Sequence, residues 1–305
     1  MNVLVTGGAG FIGSHLLDAL VSDHDVRIID DFSSGRRENV HPSATVVDGD
    51  IRDDRRLSRL VRDVDVIFHH AASVSVDRSI EDPKLSHEVN VDATLSILEA
   101  ARREEARCVL ASSAAIYGQP ERIPIDESEP KSPASPYGIE KLTVDHYAHV
   151  YNDLYGLPTV ALRYFNVYGP RQTASDYSGV ISVFLDQARN DRPITVHGDG
   201  SQTRDFVHVD DVVQANLLAM ETDRVGEAYN VGTGRAISIE ELATTVREVT
   251  DADSEIVHTE GRPGDVERSR ADIGKTRSML GYEPTTRLEE GLETLVEGPS
   301  MTHRP

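Results

Sequence analysis

A chain of 305 residues is long enough to bury a sizeable core, and it has room for one nucleotide-binding domain and a smaller partner. Acids outnumber bases 52 to 31, a formal net charge of −21 that disfavours nucleic-acid binding and suits a surface adapted to high intracellular salt. The one cysteine, Cys108, excludes a disulfide framework within the chain and fits a reducing cytoplasm. No apolar run reaches membrane-span length, the N-terminus enters a strand instead of a secretory leader, and the twelve histidines show no metal-ligand spacing.

Asn2–Thr6 reads as a short buried strand running into Gly7, Gly10 and Gly13, after which Leu16, Leu17 and Leu20 keep helical spacing. Strand, glycine turn and helix form the context that a dinucleotide fingerprint requires, although these glycines stand three apart instead of in G-x-G-x-x-G order. Such glycines make a tight turn, let backbone approach a pyrophosphate and bring helix against strand. The helix N-terminus, at Phe11 and Ile12, then offers free N–H groups and positive dipole to phosphates. A second strand over 25–29 ends in Asp30 and Asp31, near the distance expected for an acid on the adenine ribose. A carboxylate there repels a 2′-phosphate, so NAD is favoured, while Arg36 and Arg37 keep NADP open. Ser33 and Gly35 lie in the same loop and are assigned to the cofactor with them.

A strand over 44–47 leads to Asp50 and Ile51, which would flank an adenine ring, and another over 65–69 leads to Ala71 and Ala72. A long helix is predicted over 83–103, carrying Asn90, and a strand over 107–112 ends at Ser112 and Ser113. A helix from Tyr137 to about Tyr155 precedes a strand over 158–163, which ends at Tyr164 and Asn166. This repeated βα order predicts an α/β fold, a Rossmann-type doubly wound parallel sheet with ligands at the carboxyl ends of its strands. Beyond Asn166 the pattern is less regular. Helices are expected over 180–189, 209–220, 238–249 and 272–280, with a short strand over 255–258 and a frayed end over 301–305. The domains expected are an NAD-binding unit, 1–166, with 205–231 packing back on it, and a smaller α/β substrate unit from 167–204 and 232–300.

Tyr137 and Lys141 stand four apart, which puts a phenol and an ammonium on one helix face. A nearby ammonium favours the phenolate, so the pair is a way to build a base at neutral pH. Bringing a tyrosine from its usual value to neutrality requires about 4 kcal/mol of differential stabilisation, more than Lys141 alone supplies. A second positive charge, such as an oxidised nicotinamide ring, would help.

Several segments together carry a family resemblance: Thr6 to Gly13, Ser112 to Gly118, Tyr137 with Lys141, Leu162 to Pro170, Arg204 to Val209, Tyr229 to Gly232, and Arg262 to Asp265. The chain resembles an extended short-chain dehydrogenase/reductase of the NAD-dependent sugar epimerase/dehydratase family, and within it the UDP-glucose 4-epimerases, over residues 2–295. The resemblance implies that Tyr137 takes the proton of the sugar 4-hydroxyl while the C4 hydride passes to NAD, and that the 4-keto sugar swings over and recovers the hydride on its other face. It gives Lys141 the nicotinamide ribose and the lowering of the Tyr137 pKa, and gives Ser113 a hydrogen bond to the same sugar oxygen. Tyr164 and, more weakly, Asn90 are placed near the cofactor. Asn166, Arg204, Arg262 and Asp265 are given the nucleotide diphosphate, with Arg78 a weaker candidate there.

Related 4,6-dehydratases carry an Asp-Glu pair directly after the catalytic hydroxyl, and decarboxylases carry a Glu nearby. Ala114 and Ala115 occupy those positions, which favours simple epimerisation, while Val76 to Ile80 echoes the dehydratases and keeps dehydration or decarboxylation as the alternative. Ser269, at the position that gates bulk at the sugar C2, is small and implies tolerance of N-acetylhexosamines. Non-catalytic NAD(P)-binding sensors of the superfamily usually lack the Tyr/Lys pair that this chain keeps. The partners expected are a UDP-sugar or other nucleotide-diphosphate sugar and a second copy of the chain, docked through the helices near 83–103 and 137–155, with no metal, nucleic acid or membrane.

Overall fold

The computed structural model describes residues 1–172, 179–261 and 264–296. The first half runs β1 (Asn2–Thr6), α1 (Phe11–Leu20), β2 (Asp25–Asp30), β3 (Thr45–Asp48), α2 (Asp54–Leu60), β4 (Val66–His69), α3 (Val76–Glu81), α4 (Pro83–His87), α5 (Ala93–Glu104), β5 (Arg107–Ser113), α6 (Pro136–Tyr155) and β6 (Thr159–Tyr164). The second half runs β7 (Asn166–Tyr168), α7 (Val180–Arg189), β8 (Ile194–His197), β9 (Thr203–Arg204), β10 (Phe206–His208), α8 (Val209–Glu221), β11 (Glu227–Val231), β12 (Ile237–Ser238), α9 (Ile239–Val249), β13 (Ile256–Thr259), α10 (Gly274–Leu280) and α11 (Leu288–Val296).

Among the described residues seven strands form one parallel sheet in the order β11-β6-β5-β4-β1-β2-β3. Every residue of β4 and β6 is buried, as expected for parallel strands covered on both faces. One face packs under α1 and α8 around Leu16, Leu17, Val109, Leu162 and Val212; the other packs under α2, α5 and α6 around Ile67, Leu98, Leu110 and Val144. Strand order reverses between β1 and β4, which opens the crevice where this topology receives its ligand.

The smaller part has its own core, in which Phe184 and Leu185 of α7 meet Leu242 and Val246 of α9 and Leu292 of α11. Among the described residues it contains three two-stranded sheets, β7 with β10, β9 with β12 and β8 with β13. From the second half, α8, β11 and the stretch holding Ala271, Ile273, Leu280 and Tyr282 bury against the first core.

The expected helix over 83–103 is present as α4, a single π-helical turn at Glu88–Asp92, and α5. A π turn of this kind inserts one residue and re-aims the side chains around it, here Asn90. The short helices α2 and α3 escape a periodicity reading because α2 buries only Leu57 and Leu60, and α3 only Ser79. The glycine at 291 weakens the sequence signal of α11; a Cβ there would meet the Tyr168 hydroxyl at 2.2 Å.

Candidate active site

The crevice begins at the loop between β1 and α1. Gly7 has φ +69, and a Cβ there would lie 2.7 Å from the Ala71 nitrogen, so the loop after β4 can close on it only because position 7 has no side chain. A Cβ on Gly13 would lie 2.2 Å from the Gly7 carbonyl oxygen, which is how closely α1 sits on the turn. Gly10 caps α1 with no side-chain hydrogen bond, leaving the N–H groups of Phe11 and Ile12 at the positive end of the helix. That cradle fits a dinucleotide pyrophosphate.

Asp30 ends β2 against this loop; its carboxylate accepts from Ala9 N at 2.9 Å and Phe32 N at 2.8 Å, and burial raises its pKa. Asp31 is exposed and accepts from Ser33 N and Oγ. Gly35 packs on Asp30 and Ala9. Of the two arginines that kept a 2′-phosphate open, Arg36 pairs with Glu38 and Arg37 with Asp48. Further along the crevice Ile51 is buried, and the Asp50 carboxylate is held well below its usual range by Arg52. Ala71 N donates to Thr6 Oγ1, which fixes the Ala71–Ala72 stretch to the end of β1.

The catalytic candidates converge at the ends of β5 and β6. Ser135 caps α6 by accepting from Gly138 N at 3.1 Å, and Pro136 opens the helix, so Tyr137 falls in the first turn. Ser113 closes β5 and accepts from Ala115 N at 3.1 Å, which folds Ala114–Tyr117 into a 3₁₀ turn beneath Tyr137. Tyr137 N in turn donates to Ser79 Oγ. Burial raises the Tyr137 pKa, the Ser113 hydroxyl lowers it, and the Glu140 charge raises it. The Lys141 ammonium is buried, donates to Ala111 O at 2.9 Å and lies 5.9 Å from the Tyr137 ring centroid. Burial lowers its pKa to about 8, against the opposing pull of Glu140. In the chain by itself the Tyr137 pKa thus lies above its ordinary value, and the group that pulls it down is the Ser113 hydroxyl, not the expected Lys141 ammonium. Ser112 Oγ is buried among the described residues without a hydrogen-bond partner.

Two buried networks hold this cluster. Arg163 of β6 pairs with Asp145 of α6 and donates to the Tyr117 hydroxyl, which donates to Asn230 of β11. On the other side Asn90, 1% exposed, donates to Glu140 at 2.7 Å and to Ser73 O at 2.9 Å, and accepts from Ser73 N. Its amide is spent on the protein, where it ties the loop after β4 to α6. Tyr164 stacks on His70, and its hydroxyl bonds to Asn216.

On the substrate side Arg204, mostly buried, pairs with Asp265, and Asn166 Nδ2 donates to Asp205 O at 3.0 Å. Ser269 is buried, and its N–H donates to Thr203 O beside Arg204. Arg78 is exposed on α3. Arg262 lies outside the described residues. Asp205 was missed by the sequence reading although it adjoins Arg204. Its carboxylate is buried and accepts from the N–H groups of Thr233, Gly234 and Ala271, and so anchors the wall that carries Arg204. No group of His, Cys, Asp and Glu among the described residues is arranged to hold a metal ion, and none of their helices is long and apolar enough to cross a membrane.

A doubly wound sheet with a glycine-turn helix end at its switch point and a Ser, Tyr, Lys cluster at adjoining strand ends defines a dinucleotide-dependent short-chain dehydrogenase/reductase. The chain belongs to the NAD dependent epimerase/dehydratase family, whose model matches residues 3–232. It is an NAD-dependent enzyme. It is 41% identical to a putative UDP-glucose 4-epimerase of Methanocaldococcus jannaschii over 308 residues, 99% of each chain. The structure of a UDP-glucose 4-epimerase from Thermotoga maritima, solved with UDP-glucose, superposes with a TM-score of 0.94 at 39% identity, covering 97% of this chain and 98% of that one. A UDP-N-acetylglucosamine 4-epimerase from Methanobrevibacter ruminantium, in complex with UDP-N-acetylmuramic acid, gives 0.94 at 38% identity, with 97% of each chain covered.

Proposed function

We propose that the chain interconverts the C4 epimers of a UDP-hexose, UDP-glucose with UDP-galactose, and accepts N-acetyl forms. One observation carries the reading: Ser113, Tyr137 and Lys141 meet at the sheet ends while Ala114 and Ala115 form the turn directly after Ser113, with no acid there to expel water or assist loss of carbon dioxide. NAD, when bound, takes up the C4 hydride and returns it. Tyr137 removes the proton of the 4-hydroxyl and later gives it back, Ser113 hydrogen-bonds that oxygen as charge develops, and Lys141 holds the nicotinamide ribose as a cation. Arg204, Arg262, Asp265 and Asn166, with Arg78 at the rim, bind the nucleotide diphosphate. Asp30 and Asp31 take the adenine ribose, Asp50 and Ile51 flank the adenine, and Gly7, Gly10, Phe11, Ile12, Gly13, Ser33, Gly35, Ala71, Ala72 and Tyr164 line the rest of the cofactor site.

Dehydration or decarboxylation is the second reading, and it draws on Val76–Glu81, the short helix whose Ser79 Oγ accepts the Tyr137 N–H. NMR of the purified protein in molar salt with NAD and UDP-glucose, UDP-galactose or UDP-N-acetylglucosamine separates the two. Appearance of the C4 epimer is expected, whereas a 4-keto-6-deoxy sugar from any of them, or carbon dioxide when a UDP-uronic acid is supplied instead, would overturn the proposal. Ser269→Tyr should abolish turnover of the N-acetyl substrate and spare UDP-glucose.

We also propose an NAD unit of 1–166 with 205–231, a substrate unit of 167–204 with 232–300, and a homodimer. The dimer reading draws on the exposed Leu85 of α4 and on Ile139, Val150, Leu154 and Tyr155 along α6. Light scattering that gives the mass of a single chain would overturn it. A salt-rich cytoplasm is the compartment the net charge of −21 favours.

A further inference from the structure

Between the base and the lysine stands a third ionisable group. Glu140 is 3% exposed, and its Oε2 accepts from Ser86 Oγ at 2.7 Å and from Asn90 Nδ2 at 2.7 Å. A buried carboxylate is costly unless hydrogen-bonded and balanced by opposite charge. Both donors are neutral, and the cation on which the field of this carboxylate acts is the next residue in the chain, Lys141. Through Asn90, which also clasps the main chain of Ser73, the same carboxylate ties α6 to the π-helical turn and to the loop after β4.

We propose that Glu140 is a positioning residue for the reaction: its carboxylate keeps Lys141 an ammonium in a buried site and fixes the catalytic helix against the π-helical turn. The inference rests on Tyr137 and Lys141 serving as the pair proposed above. The groups that face Lys141 are Glu140 and Tyr137 on α6, the Ala111 carbonyl of β5, and His69 and His70 at the end of β4. Burial holds both histidines neutral, at about 3 and about 4. Glu140 is then the negative charge that offsets the desolvation of Lys141, and the same charge opposes ionisation of Tyr137. Neutralising it should make Lys141 give up its proton at lower pH and let Tyr137 ionise at lower pH. Both limbs of the rate profile should move in one direction.

Glu140→Gln is the variant to make, because its amide oxygen can accept from Ser86 and Asn90 as the carboxylate does. The chain has four lysines, 84, 131, 141 and 275, so a sample carrying ¹³Cε-lysine gives four signals, and Lys141→Met assigns the one of interest. The Lys141 signal is expected to titrate near 8 in the parent chain and about half a pH unit or more lower in Glu140→Gln. Both limbs of the kcat/KM profile for C4 epimerisation should shift acidic with it. Ser86→Ala breaks one tie but leaves the charge, and should lower thermal stability without moving the Lys141 midpoint. An unmoved midpoint in Glu140→Gln, or an equal shift in Ser86→Ala, would overturn the assignment. If no sugar nucleotide turns over while the midpoint shifts as stated, the proposed reaction fails and the role of Glu140 stands.

Discussion

The Lys141 ammonium donates to the main-chain oxygen of Ala111 at 2.9 Å and stands 5.9 Å from the centre of the Tyr137 ring. Its influence on the phenol is thus one of field rather than contact. In the protein alone burial outweighs the pull of the Ser113 hydroxyl, and the Tyr137 pKa lies above its ordinary value. Under the proposed reaction, the positive charge of an oxidised nicotinamide ring beside Tyr137 would then be needed to bring its ionisation toward neutral pH.

Tyr137→Phe should lower kcat by about a thousandfold, the usual range for losing a positioned general acid–base. Only the hydroxyl is removed and the main-chain bond from Tyr137 N to Ser79 stays, so the thermal midpoint should hardly change. Steady-state rates and calorimetry on the one variant check both halves.

Lys141 supplies a pH test with a defined sign. Its folded pKa is lowered from 10.5 to about 8 by burial, so between those values the unfolded chain binds more protons than the folded one. The penalty from burying this cation is fully present below about 8 and is relieved as pH rises toward 10.5. Parent stability, read by urea unfolding, should rise between pH 8 and 10.5 and Lys141→Met should lack that rise, while parent activity falls through pH 8 as the ammonium is lost.

His69 acts at the other end of the scale. It is 5% exposed, bonds to Thr6 Oγ1 at 2.7 Å and Thr94 Oγ1 at 2.9 Å, and is held neutral by burial down to about pH 3. Its folded pKa lies below the unfolded value, so stability falls as pH drops from 6.5 toward 3, at most about 1.4 kcal/mol per unit. Denaturant midpoints for His69→Gln should show a shallower acid slope than the parent, even if the variant is weaker at neutral pH.

Two glycines of one loop should separate folding from cofactor binding. A Cβ at position 10 would meet the Gly7 oxygen at 3.2 Å, whereas at position 13 the distance is 2.2 Å. Gly10→Ala is therefore expected to fold with a melting temperature near that of the parent and to bind NAD at least about tenfold more weakly, through obstruction of the pyrophosphate. Gly13→Ala should lose stability by about 1–3 kcal/mol, the range for overpacking. Calorimetric titration with NAD, read beside the melts, distinguishes them.

A chain with 52 acids against 31 bases repels itself in dilute buffer. The Debye length shrinks from about 10 Å at 0.1 M salt to about 3 Å at 1 M, so molar potassium chloride should raise the melting temperature. Thermal melts with no gain between the two conditions would remove the reading of a salt-adapted surface.

Six of the seven strands of the sheet are legible in the chain because each is a local pattern, whereas β11 (Glu227–Val231) was not read as a strand. Val66–His69 and Thr159–Tyr164 are short apolar runs, Gly7 to Gly13 joins strand to helix, and Tyr137 and Lys141 share a face through the helical period. Boundaries found in the structure differ by a residue or two, as with Ile256–Thr259 against the expected 255–258. The π-helical turn at Glu88–Asp92 was not legible, because an extra residue in a helix leaves the apolar spacing on either side intact.

Sequence by itself thus determined which residues could carry the chemistry and the order of the first six sheet strands, since both depend on neighbours a few positions away. Only the tertiary structure decided how that chemistry is held. Glu140 meets Ser86 and Asn90 from 54 and 50 positions away, Asp205 caps Thr233 and Ala271, and Arg163 reaches Asp145 and Tyr117. The sign of the shift at Tyr137 follows from the same cause: burial and field are sums over segments far apart in the chain, and they take a value only once the fold has brought those segments together.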